Sequence, residues 1–225
     1  MAEVTGSTYL KISGWNVLFN NLSNEASITK ENDRIDLWAD FNAPFALCDT
    51  LTITKDSHAL DISAFRFAAR EVQSDDGSVK GVVKGNKTAG LVAGKVTGSG
   101  TCAVDLSPCF KDGAQYALET ASGSAGGLFG VIEKDASVSV TTGNLNILVS
   151  SADAGNVGLL VGENKGTFTV SSESTYTGSA TAAADYAAGL VGVNANTGTV
   201  NFANSVTVNA FTATGAYAGG VAGKS

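Results

Sequence analysis

One short phrase recurs through the last two thirds of this chain and constrains its fold more than any other feature. It reads Ala89-Gly90-Leu91-Val92-Ala93-Gly94, then Gly126-Gly127-Leu128-Phe129-Gly130, then Val157-Gly158-Leu159-Leu160-Val161-Gly162. It returns as Ala188-Gly189-Leu190-Val191-Gly192 and as Ala218-Gly219-Gly220-Val221-Ala222-Gly223. The closing glycines, Gly94, Gly130, Gly162, Gly192 and Gly223, are separated by 36, 32, 30 and 31 residues. A repeat of that length is one supersecondary unit that cannot bury its apolar face alone and must stack on its neighbours.

Between the phrases the apolar period is two. Val138 and Val140 alternate with serines, Leu145, Ile147 and Val149 follow, and Phe168 with Val170 and Val200 with Phe202 repeat the pattern. Alternation over four to six residues, bounded by Gly, Asn, Ser and Thr, is a strand signal. The reading is an all-β, right-handed β-solenoid (β-helix) of about five degenerate Gly-rich repeats over residues 81–225. Leu91, Leu128, Leu160, Leu190 and Val221 are expected in register on one wall. Gly90, Gly94, Gly127, Gly130, Gly158, Gly162, Gly189, Gly192, Gly220 and Gly223 are expected to turn corners at positive φ and to let neighbouring coils approach. The competing architecture is a β-sandwich whose strands resemble one another by coincidence.

The phrase followed by a polar turn and a strand, as in Gly189-Leu190-Val191-Gly192-Val193-Asn194 and Gly198-Thr199-Val200, resembles the GLUG motif, as does Gly158-Leu159-Leu160-Val161-Gly162-Glu163-Asn164-Lys165-Gly166-Thr167-Phe168. That family's repeats occur in large bacterial surface proteins, including adhesins and the non-catalytic parts of surface proteases. The resemblance covers residues 81–225. The first repeat departs from it by one extra residue, Ala93, and by a long insert around Cys109. The second has Glu133-Lys134-Asp135 in place of the Asn-x-Gly turn.

Residues 1–80 are built differently, as an N-terminal cap or a small α+β region. Of the 27 glycines only Gly6, Gly14 and Gly77 precede residue 81. Ser13 is placed to cap a short helix, with Trp15, Leu18, Phe19 and Leu22 at helical spacing. Leu51 with Ile53, Leu60 with Ile62, and Phe65 with Phe67 then alternate as strands. Solenoids need such caps for solubility; an independently folding domain is the alternative.

Charge narrows the partners. The net charge is −7 and charged residues make up 16% of the chain, which argues against a nucleic-acid footprint. No apolar run approaches the ~20 residues of a membrane helix. Met1-Ala2-Glu3-Val4-Thr5 lacks the basic and apolar regions of a signal peptide, and the chain is read as a fragment of a larger protein. Cys48, Cys102 and Cys109 lack the spacing of a zinc site. Cys102 reads as a core residue, with a Cys102–Cys109 disulfide as the alternative.

No catalytic, cofactor or metal residues are assigned. The only histidine, His58, lies in a polar stretch that reads as an exposed turn. Asp153, Glu163, Lys165, Glu173, Asp185 and Lys224 fall at different phases of the repeat, so stacking is not expected to gather them. Thr167 with Thr169, Thr175 with Thr177, and Thr212 with Thr214 also fall at inconsistent phases. The expected function is a non-enzymatic adhesive or spacer module, extracellular or at the cell surface. Its expected partners are host or matrix glycans or proteins, with self-association through an uncapped C-terminal coil. The alternatives are a carbohydrate-active β-helix lyase or hydrolase and an ice-binding solenoid.

Overall fold

Each alternating stretch becomes a strand, and like strands from successive repeats stack in parallel. The computed structural model describes residues 67, 69–183 and 185–225 throughout, apart from the Ala210 side chain. Before them it describes the strand segments 2–3, 10–11, 17–20, 26–31, 34–39, 48–53 and 58–60, with side chains at Thr50 and Leu51.

Four strands make a full coil, and four parallel sheets result. The anchor wall stacks Ala93–Gly98, Phe129–Ile132, Val161–Asn164, Val191–Asn194 and Ala222–Lys224. A second wall stacks Gly100–Asp105, Ala136–Thr141, Thr167–Val170 and Thr199–Phe202. A long wall stacks Val82–Gly85, Gln115–Thr120, Leu145–Ser151, Ser174–Ala182 and Val206–Thr214. A short wall stacks Ala125–Gly126, Val157–Gly158, Tyr186–Ala188 and Tyr217–Gly219. The chain is a β-solenoid of about four turns.

The period of two sends alternate side chains into the bore. Val138, Val140, Leu145, Ile147, Val149, Phe168 and Val170 are all buried. Phe129 and Phe168 meet edge to face across the bore, with ring centroids 6.2 Å apart. Burying one such side chain is worth about 1.5–3 kcal/mol, and stacking repeats that gain at every rung.

The register corrects one expectation about the anchor phrase. Ala93 stands opposite Phe129, Phe129 opposite Val161, Val161 opposite Val191 and Val191 opposite Ala222. Val92, rather than Leu91, therefore lies opposite Leu128, and Ala93 is not an extra residue. The hydrogen bonds agree: Val92 and Ala93 donate to Leu128, Leu128 and Phe129 to Leu160, and Leu160 and Val161 to Leu190. Leu190 and Val191 donate in turn to Val221. Leu91 is buried one position away from that column.

The anchor glycines act through space rather than through φ. The positive-φ glycines are others, such as Gly98, Gly123 and Gly178. A Cβ on Gly162 would lie 2.6 Å from the Gly130 carbonyl oxygen and 2.7 Å from Ala125 N, and one on Gly192 would meet Gly162 O and Val157 N as closely. Gly90, Gly127, Gly158 and Gly189 likewise face backbone oxygens of the adjoining rung or turn. The short wall lies so close to the anchor wall that a side chain at these positions has nowhere to go. Gly220 is different, with nothing within 4 Å of such a Cβ. The corner at Glu133-Lys134-Asp135 uses three residues where Lys165-Gly166 suffice in the next coil, and Asp135 takes φ 70° to close it.

Parallel stacking also extends before residue 81. Cys48–Ile53 joins the anchor wall beside Ala93–Gly98, and His58–Leu60 joins the second wall beside Gly100–Asp105. His58 is thus a strand residue opposite Cys102, not part of an exposed turn. The helix expected after Ser13 is replaced, over Val17–Asn20, by a strand pairing antiparallel with Cys48–Ile53 and with Leu10–Lys11. Apolar spacing over so few residues fits helix or strand equally, and the free edge of the anchor wall decides for the strand. Trp15, Leu22, Ile62 and Phe65 lie outside the described residues. Phe67 is not in a strand; it is buried and stacks on Phe110, which meets Tyr116 edge to face, both at 4.9 Å.

Candidate binding groove

The outer positions of the walls are dominated by hydroxyls and amides. On the second wall Thr101, Ser137, Thr167 and Thr199 stand in one column. On the long wall Thr175 faces Thr207, Ser179 faces Thr212 and Thr181 faces Thr214. Stacking thus aligns threonines whose phases looked unrelated in the sequence, because the turns between strands differ in length from coil to coil. The alignment is broken where the register shifts between Tyr176 and Gly178.

Of the charged residues not expected to gather, Glu163 and Lys165 do meet, and Glu133 and Lys95 join them. Lys95 Nζ lies 2.8 Å from Glu133, and Lys165 Nζ lies 3.6 Å from Glu133 and 3.5 Å from Glu163. This string runs up the outside of the anchor wall across successive coils. The hydrogen bond from Lys95 holds the Glu133 carboxyl below its ordinary value, with Lys165 acting in the same direction against a smaller desolvation effect. Glu133 is therefore an ionised, paired carboxylate, unsuited to donating a proton near neutral pH.

Cys102 and Cys109 are both buried and no disulfide joins them, so the disulfide alternative falls away. Burial pushes the Cys102 thiol up to about 12. Among the described residues no group of three or more His, Cys, Asp or Glu is placed to hold a metal ion, and no helix is long and apolar enough to cross a membrane.

A groove of about 370 Å³ opens where the long wall turns toward the short wall. It crosses three rungs, lined by Lys84, Gly85 and Asn86, by Glu119, Thr120 and Ala121, and by Ser150, Ser151 and Ala152. Register builds it: Lys84 stands opposite Glu119 and Glu119 opposite Ser150. Lys84 Nζ and the Glu119 carboxylate are 3.9 Å apart and both well exposed. Thr120 is 3% exposed and its Oγ1 has no hydrogen-bond partner. Ser151 Oγ is engaged, donating to the carbonyls of Gly123 and Asp153. Backbone groups along the groove are paired as well, Ala121 N donating to Gly85 O and Ala152 N to Thr120 O.

None of the groove residues stood out in the sequence. Lys84 precedes the first anchor phrase, and Glu119 and Ser150 become neighbours only through the pairing of the long wall. The anchor residues are structural: Leu128, Leu160 and Leu190 are buried, whereas Val221 on the last rung is 52% exposed. No protein-family model, curated protein or solved structure matches this chain.

Proposed function

We propose that this chain is a non-enzymatic adhesive or spacer module of a larger secreted or cell-surface protein. The observation that carries the reading is the pairing of a continuous parallel core with outer columns of uncharged hydroxyl residues, such as Thr101, Ser137, Thr167 and Thr199. Four sheets running the length of the stack make a stiff element, and hydroxyl columns offer repeated hydrogen bonding to glycan or protein surfaces. Glu133 and Glu163 share Lys165, and Glu133 also pairs with Lys95, so both are tied to lysines rather than poised as an acid–base pair.

The test is to present the full chain to arrays of glycans and extracellular-matrix proteins while assaying the glycans for new reducing or unsaturated ends. Retention without product is the expected result; product release overturns the reading in favour of a carbohydrate-active enzyme. Ice binding is a second reading, favoured by the facing pairs Thr175–Thr207 and Thr181–Thr214 and tested by thermal hysteresis.

A further inference from the structure

We propose that Tyr186 and Tyr217 form an oxidative cross-linking site, at which a peroxide-driven one-electron oxidant joins the two rings into a dityrosine bridge between neighbouring coils. The inference goes beyond the adhesive reading and does not depend on it. The two residues stand opposite each other in the short wall, and their rings stack with centroids 5.0 Å apart at an interplanar angle of 22°. That separation matches the ~4.8 Å spacing of parallel rungs, which requires the two side chains to leave the wall in the same direction and run side by side. The ring carbons flanking one hydroxyl therefore lie beside those flanking the other. Tyr217 is 61% exposed and Tyr186 is half-buried, so an oxidant in solution reaches the pair. Lys224 Nζ, 5.5 Å from the centroid of the Tyr186 ring, helps to hold that ring in the stack.

The chemistry balances with a single peroxide. A haem peroxidase turning over hydrogen peroxide takes one electron and one proton from each phenol, leaving two phenoxyl radicals. The radicals couple through one ring carbon beside each oxygen, and the hydrogen on each joined carbon moves to the oxygen, which restores both phenols. The protein loses two hydrogen atoms, and the peroxide becomes two molecules of water. Rings already held together couple far more readily than rings that must meet by diffusion. The other described tyrosines are not placed this way. Tyr116 and Tyr176 are each 1% exposed. Tyr116 stands opposite Ile147, and Tyr176 stands between Leu145 and Val208, so neither faces a tyrosine in the pairing of the long wall. A bridge between Tyr186 and Tyr217 closes a loop across 31 residues of chain and ties one coil to the next, constraining the unfolded chain as a disulfide does.

The experiment treats the full chain, dilute enough to make encounters between molecules rare, with a haem peroxidase and limiting hydrogen peroxide. Cross-links are then located by peptide mass spectrometry. The expected product is a peptide pair joining Tyr186 to Tyr217, lighter by two hydrogens, from a chain that still migrates as a monomer on a denaturing gel. Tyr186→Phe and Tyr217→Phe keep the stacked ring and lack the phenol, so each should abolish that peptide pair, with the fold checked by thermal melting. Cross-links that only join different molecules overturn the proposal. So do cross-links spread over Tyr116 and Tyr176 as well, an internal cross-link that survives either Phe variant, or the absence of any dityrosine.

Discussion

The Gly130 carbonyl oxygen lies 2.6 Å from the point a β-carbon on Gly162 would occupy. Both atoms belong to anchor-wall backbone held in register by Phe129–Ile132 pairing with Val161–Asn164, so neither can retreat without opening the stack. Gly162→Ala should destabilise the chain by about 1–3 kcal/mol or more through overpacking. Gly220→Ala, with nothing within 4 Å, should stay within about 0.5 kcal/mol. Chemical denaturation of the two variants checks the contrast; equal losses would mean that the glycines matter for backbone freedom rather than for space.

Leu160 and Phe202 separate interior from terminal rungs. Leu160 is fully buried, and Leu160→Ala should cost about 2–5 kcal/mol because it leaves a cavity between coils. Phe202 is 42% exposed, so the same truncation should cost only about 1–2 kcal/mol. Urea midpoints at unchanged m-value provide the comparison.

Glu133 titrates below an ordinary glutamate, chiefly because Lys95 donates to it. A carboxyl whose folded value is depressed contributes stability above its unfolded value and loses it as pH falls through the folded one. Lys95→Met should therefore raise the Glu133 midpoint and reduce the acid-sensitive part of the stability, by under about 1 kcal/mol for a pair so near the surface. Carbon-detected NMR titration of the Glu133 carboxyl measures the shift; an unmoved midpoint would mean that the ion pair does not form.

Cys102 and Cys109 are fully buried, and burial raises the Cys102 thiol to about 12. Alkylation needs the thiolate and access to it. At pH 8 iodoacetamide should leave both thiols unmodified in the native chain and label both in denaturant, as peptide mass mapping would detect. Native labelling of Cys102 would place it outside the bore.

The repeat was legible because its signals are local. Spaced glycines and alternating Val, Leu, Ile and Phe specify strands that pack only by stacking, and Val138, Ile147 and Phe168 are buried as that pattern requires. Register was less legible, since Leu91 and Val92 are both apolar and only pairing with Leu128 distinguishes them. The rungs at Cys48–Ile53 and His58–Leu60 carry no glycine phrase and join the stack through sheet edges. The groove was illegible for a related reason. Lys84, Glu119 and Ser150 meet through pairing at unequal sequence separations, which no fixed period marks.

The solenoid rests on parallel, in-register stacking, and one cross-linking measurement tests it. Ser137 and Thr167 stand opposite each other on the outer face of the second wall, and Thr169 lies diagonal to Ser137. At the ~4.8 Å rung spacing an opposed pair suits a disulfide, while a diagonal pair about 7–8 Å apart does not. Under mild oxidation, Ser137→Cys with Thr167→Cys should cross-link rapidly and raise the melting temperature, and Ser137→Cys with Thr169→Cys should not. Cross-linking of the diagonal pair in preference to the opposed pair would contradict the stacked register and the account built on it.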